Sequence, residues 1–138
     1  MQATLKNQGL RIFGLRAANI SDAEYFARDI EPEYITVSND SKTAWATLQE
    51  NNGIAKIDLI SKNITEIFPL GFKNYNLPYN SIDPSDVDDN VGNFNTWPVY
   101  GMYQPDGIAF MLHKGLPVLF TANEGDARVR IRWDTIPG

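Results

Sequence analysis

The sequence predicts an all-β fold, in which antiparallel four-stranded blades form a partial β-propeller of about two to three blades. Three observations lead to this prediction: short β-branched segments separated by turns, internal repeats near the length of a propeller blade, and a composition typical of a globular protein. The chain has 138 residues, of which 43% are hydrophobic and 21% are charged. These values suit a single domain with a substantial core.

The clearest strand pattern lies in residues 31–71. Runs rich in Ile, Val, Thr and aromatic residues alternate with short groups of Asn, Asp, Ser and Gly, as in "YITVSNDSKTAWATLQENNGIAKIDL". The first residue types favour strands and the second favour turns. The predicted strands are, in order, 34–38, 43–49, 54–59 and 64–70. This order predicts one complete four-stranded meander.

Two internal repeats support blades. The segments "NQGLRIFGL" (7–15) and "NNGIAKIDL" (51–59) match at several positions, and Gly9 and Gly53 lie 53 − 9 = 44 residues apart. A propeller blade has roughly 40 to 50 residues. The second repeat relates 31–57 to 104–131, with Ile35 aligned to Ile108 and, after a slip of one residue, Glu50 aligned to Glu124. In the later unit, strands are predicted at 107–112, 116–122 and 127–133.

These repeats predict the organisation of the chain, with residues 1–138 as a single partial propeller domain. The segment 21–30, "SDAEYFARDI", fits either a single helical turn or a loop. The predicted parts are the end of a first blade with a connector (7–30), a complete blade (31–71), an Asp-, Asn- and Pro-rich insertion (72–103), part of a next blade (104–133) and a tail (134–138).

Composition excludes several classes of function. The net charge is −5 and there is no cysteine, which argues against nucleic-acid partners and excludes disulfides, thiolate zinc sites and a cysteine nucleophile. His113 is the only histidine, so a multi-histidine zinc site within this chain is excluded. We expect His113 to be exposed in a turn, and no catalytic residue is assigned.

Localisation signals are few. The amino-terminal "MQATLKNQGLRIFGL" lacks the apolar core of a signal peptide, and no stretch approaches the roughly 20 apolar residues of a membrane span. Three sequons, at Asn19, Asn39 and Asn63, are candidate glycosylation sites. The alternative is that these are unmodified surface asparagines.

Four segments together resemble the choice-of-anchor I family: "EPEYITVSNDSKTAWATLQENNGIAKIDL", "DPSDVDDN", "VYGMYQPDGIAF" and "TANEGDAR". The resemblance covers roughly residues 7–128. It implies a β-propeller-like extracellular domain, since the family includes bacterial proteins labelled alkaline phosphatase or phytase and mesenchyme-specific cell-surface glycoproteins. Family members are several times longer, carry a secretory signal, and usually continue differently after "NEGDAR".

The acidic insertion provides the candidate metal site. Calcium binds six to eight oxygens, which Asp-rich loops supply. The run does not follow the EF-hand pattern, because Val91 stands where that pattern has Gly and Trp97 where it has Glu. A solvated acidic loop is the alternative to a weak calcium site. The candidate ligands are Asp83, Asp86, Asp88, Asp89 and Asn90.

A second candidate site lies at the turns that follow equivalent strands. In a propeller, such turns cluster around the mouth of the central channel, where carboxylates from adjacent blades can share a cation. The alternative is that Asn, Gly and Asp occur here only because turns favour them. The candidate channel-mouth residues are Glu33, Glu50, Asn52, Asp106, Asn123, Glu124 and Asp126.

The sequence therefore predicts an extracellular or cell-surface binding module, with calcium as its candidate cofactor and a link to matrix or biomineralisation. The alternative is a metal-dependent phosphoesterase, similar to an alkaline phosphatase or phytase, of which this chain is a fragment. A partial propeller exposes strand edges, so the expected partners are the remaining blades or another copy of the chain. We expect no nucleic acid and no membrane span.

Overall fold

A computed structural model describes residues 2–12, 20–85, 87, 89 and 92–125. The described residues are mostly β, in antiparallel sheets, with two short helices. The elements are α1 (Gln2–Asn7), α2 (Asp22–Asp29), β1 (Ile35–Val37), β2 (Thr43–Leu48), β3 (Gly53–Asp58), β4 (Asn63–Pro69), β5 (Lys73–Asn74), a 3₁₀ turn (Pro78–Asn80), β6 (Tyr100–Gly101), β7 (Pro105–His113) and β8 (Leu116–Asn123).

The first four strands form one antiparallel sheet in the order β1-β2-β3-β4. The predicted meander of four strands in residues 31–71 is therefore confirmed, with strand ends within a few residues of the expected ones. A register shift interrupts the β3–β4 pairing between Lys56 and Ile57. The described residues form no closed propeller, and the interpretation of this sheet as a propeller blade stays a prediction.

Strand β2 is the centre of the core. Ala44, Trp45, Ala46, Thr47 and Leu48 are all buried, which means that both faces of β2 are covered. On one face, the Trp45 ring stacks on the ring of Phe110 in β7, with ring centroids 5.0 Å apart and an interplanar angle of 12°. This aromatic pair packs the first sheet against β7.

Strands β7 and β8 form a separate antiparallel hairpin. The turn residues Lys114 and Gly115 have φ values of 50° and 79°, as the tight two-residue hairpin turns require. The predicted "HKG" turn is confirmed, and His113 beside it is exposed. The edge of β8 remote from β7 has no strand partner among the described residues.

Two regions differ from the sequence-based expectation. Segment 21–30 forms the eight-residue helix α2, because the Ser21 side chain accepts a hydrogen bond from the Glu24 N–H at 3.1 Å and caps the helix. Helix α1 was not predicted. It ends at Asn7, so this part of the first repeat is helical, whereas its counterpart at 51–58 is a turn followed by β3.

The insertion 72–103 contains short, regular pieces. Strands β5 and β6 pair with each other, and an isolated bridge joins Ile82 to Asn95. The Trp97 indole N–H donates to the Ile82 carbonyl at 3.2 Å. The ends of the acidic loop are therefore close together.

Candidate functional site at the β2–β3 turn

The turn between β2 and β3, residues 49–52, lies in the interior. Gln49, Asn51 and Asn52 are all buried, and Asn51 and Asn52 have no exposed surface. Asn52 adopts the left-handed backbone conformation, with φ of 57°. Among residues with a side chain, Asn tolerates this conformation best. A polar turn buried this deeply requires partners for its amide groups.

The Asn52 side chain connects three distant segments. Its Nδ2 donates to the carbonyls of Gly9 at 3.1 Å and Gly71 at 2.8 Å. Its Oδ1 accepts from the backbone N–H groups of Tyr103 at 2.9 Å and Gln104 at 3.1 Å. We had predicted Asn52 as a channel-mouth ligand, but in the structure this amide is fully engaged in holding the backbone together.

Asn51 performs the same role towards other segments. Its Nδ2 lies within hydrogen-bond distance of the Arg11 carbonyl at 2.9 Å, the Asp29 carbonyl at 3.1 Å and the Asp29 Oδ2 at 3.3 Å. Its Oδ1 accepts from the Glu31 N–H at 3.1 Å. Sequence reasoning missed Asn51, although the consecutive "NNG" and the match of Asn51 to Asn7 pointed to this turn.

A side-chain contact joins this turn to the end of β8. The Gln49 Nε2 donates to the Glu124 Oε2 at 3.2 Å, and the Glu124 N–H donates to the Gln104 carbonyl at 3.3 Å. Gln49 is buried, whereas Glu124 is exposed. The two turns that the repeat relates therefore touch, through a residue that sequence reasoning did not select.

Strand pairing refines the alignment of the two units. Thr36 pairs with Trp45, and Ala109 pairs with Phe120, so the second hairpin is two residues longer: 120 − 109 = 11 against 45 − 36 = 9. Trp45 corresponds to Phe120 in this pairing, and counting four residues on places Gln49, rather than Glu50, level with Glu124. The slip between the units is two residues instead of one.

Glu50 is half-buried, and its Oε2 is buried with no hydrogen-bond partner among the described residues. Buried carboxylate oxygens usually have a partner, so this oxygen is the one atom of the turn that is free to bind a further group. Glu50 is thus the described residue of the turn that best retains the predicted binding role.

The remaining channel-mouth candidates lie near strand ends. Glu33 is exposed and its N–H donates to the Thr47 carbonyl at 3.0 Å. Asp106 is half-buried near the start of β7, and the exposed Asn123 accepts from the Thr121 hydroxyl at 3.0 Å. Asp126 lies outside the described residues.

In the acidic loop, the structure describes Asp83 and Asp89, while Asp86, Asp88 and Asn90 lie outside the described residues. The Asp83 Oδ2 accepts from the N–H groups of Gly92 at 2.8 Å and Asn93 at 3.1 Å. Its Oδ1 is buried and has no partner in the described part of the chain. No group of three or more His, Asp or Glu residues suited to a metal occurs among the described residues.

Two of the three sequon asparagines are described. Asn39 lies in the β1–β2 turn and Asn63 at the start of β4, and both are exposed. Exposed turn residues are accessible to a modifying enzyme. Asn19 lies outside the described residues.

Together, the antiparallel sheets and the buried asparagine turn define a β-rich domain assembled from related hairpins. The chain belongs to the choice-of-anchor I domain family, whose match covers residues 1–136. This membership indicates a module associated with the cell surface. No curated protein and no solved structure matches the chain significantly. Neither of the described helices has the length and apolar character needed to cross a membrane.

Proposed function

We propose that this chain is part of an extracellular or cell-surface binding module, in which its two β units are neighbouring blades of a propeller. The observation that carries the proposal is the contact of Gln49 with Glu124 at 3.2 Å. It brings together the corresponding turns of two successive units, as in the turn cluster at one end of a propeller.

In this proposal, the ligand-binding surface is the turn end that contains Glu50 and Glu124. The first has a buried oxygen without a partner among the described residues, and the second is exposed. Two carboxylates in adjacent turns favour a cationic ligand. The exposed Glu33 and half-buried Asp106, near other strand ends, would add negative charge.

Calcium binding by the loop 83–90 is a further part of the proposal. Asp83 supports it, because two backbone N–H groups orient its Oδ2 while its Oδ1 has no described partner. Flexible acidic loops with oxygen ligands suit calcium, with dissociation constants of about 0.1–1 mM in extracellular modules. A link to matrix or mineral would follow from such a site.

A calcium titration followed by thermal denaturation tests both locations. With a dissociation constant of about 1 mM, calcium at about 10 mM would stabilise the chain by roughly 1.4 kcal/mol. The stabilisation should be lost in the Asp86/Asp88/Asp89→Asn variant if the loop binds, or in Glu50→Gln/Glu124→Gln if the turns bind. Glu66→Gln, which removes an exposed charge from β4, is the control. Equal stabilisation of all variants, or none of the wild type, would refute calcium binding.

The alternative is a metal-dependent phosphoesterase. A two-metal mechanism requires several carboxylates around ions about 4 Å apart. The test is turnover of p-nitrophenyl phosphate by the chain, with and without EDTA, and by Glu50→Gln/Glu124→Gln. Turnover that EDTA and the double substitution both abolish would favour the enzyme over the binding module.

A further inference from the structure

The chain contains one complete step of sheet-on-sheet packing. Trp45 in β2 pairs with Thr36 and points from one face of the first sheet. On that face it stacks on Phe110 of the β7–β8 hairpin, at 5.0 Å between ring centroids. The contact joins one face of the first unit to one face of the second.

Each hairpin has a second face that repeats half of this contact. Residues paired directly across an antiparallel ladder share a face. Ala109 pairs with Phe120 as Thr36 pairs with Trp45, and Phe110 pairs with Leu119 as Val37 pairs with Ala44. Phe120 is therefore the counterpart of Trp45, and Val37 is the counterpart of Phe110.

Neither counterpart is covered by the described residues. On the outer face of the hairpin, Phe120 is 55% exposed, beside the exposed Met111 and Leu116. On the far face of the first sheet, Val37 is 43% exposed, beside the exposed Ile35 and, across the sheet, Ile64. Adjacent exposed apolar side chains of this kind mark an interaction surface.

We propose that the Phe120 face of one copy of this chain docks on the Val37 face of a second copy, repeating between chains the packing that Trp45 and Phe110 make within one. The occupant is a second copy because the chain itself presents both halves of the contact in the same strand register. The two surfaces differ, so the interface is heterologous, and each copy keeps one open surface for the next. Association therefore continues into rings or filaments.

A complementation experiment tests this arrangement. Sedimentation velocity from about 1 µM to about 1 mM, which spans weak to moderate affinities, should show the wild-type chain associating beyond a dimer. Phe120→Glu and Val37→Glu should each be monomeric alone. Mixed at equal concentration, they should form a 1:1 dimer that grows no further, because one intact interface remains. Circular dichroism checks the fold of each variant, and Ile60→Glu, at an exposed turn residue, should associate like the wild type.

Three results would overturn the proposal. The first is a wild-type chain that stays monomeric throughout the range, which would leave the two faces for sheets of another chain. The second is association that survives either single substitution. The third is a mixture of the folded variants that contains no dimer, since a heterologous contact requires complementation.

Discussion

The two ends of the first sheet are built on opposite principles. At one end, the β1–β2 and β3–β4 turns are exposed, and local bonds to Asp40 and Asp58 shape them. At the other end, the β2–β3 turn is buried, and Asn51 and Asn52 bond to segments that are distant in sequence. The first end only closes hairpins, whereas the second joins the sheet to the amino-terminal segment and to the start of β7.

The largest test of this difference is Asn52→Gly. Glycine accepts the φ of 57°, so the substitution removes the amide with little backbone strain. It leaves four backbone groups, two carbonyls and two N–H groups, without this partner in a buried site. We expect a loss of about 3–5 kcal/mol in the free energy of unfolding, a large share of the stability of a small domain.

Urea denaturation measures this loss, with Asn52→Asp as the companion variant. Aspartate keeps an acceptor for Tyr103 and Gln104 but cannot donate to Gly9 and Gly71 when ionised. A loss below about 1 kcal/mol for Asn52→Gly would mean that water replaces the amide and that the buried turn is no more critical than the exposed ones.

Asn51→Ala should have the next largest effect. The substitution removes the bonds to Arg11, Asp29 and Glu31 and should cost about 2–4 kcal/mol. Asn51→Asp should be worse at pH 7, because it places a second carboxylate beside the Asp29 Oδ2, which lies 3.3 Å from the Asn51 Nδ2. Thermal denaturation of both variants at pH 7 and pH 4 makes the comparison, and a more stable Asn51→Asp variant at pH 7 would contradict it.

Gly9→Ala tests the close approach of the amino-terminal segment to the buried end. A Cβ on Gly9 would lie 2.7 Å from the Gly71 Cα, and the residue has φ of 100°. We expect a loss of about 1–3 kcal/mol. Gly115→Ala is the matched control, since its φ is 79° and a Cβ there would meet nothing within 4 Å. Equal losses in denaturation experiments would mean that backbone strain alone, and no contact with Gly71, explains the effect.

The same contrast explains what the sequence could predict. Residues 34–70 showed their strands and exposed turns because β-branched alternation and Asp- or Ser-containing turns are local signals. The partners of Asn51 and Asn52 lie as far away as Arg11 and Gln104, and no local pattern encodes such pairs. Helix α1 was missed for a related reason, since its six residues are too few to produce a clear helical period.

The smallest effect is expected at the exposed end, for Asp58→Asn. The N–H of Ser61, followed by the Ser61 side chain and the N–H of Ile60, lowers the pKa of Asp58 below its ordinary 3.8. A carboxyl whose pKa is lowered by folding stabilises the fold above pH 3.8, and this contribution disappears as the pH falls through the folded-state pKa. Asparagine keeps an acceptor but loses the charge. The variant should therefore melt slightly below the wild type at pH 7 and level with it near pH 2. Asp58→Ala, which also loses the acceptor, should remain less stable at both pH values. If the Asn variant melted as far below the wild type as Asn51→Ala does, the two ends of the sheet would contribute equally, and the contrast between local and long-range turns would fail.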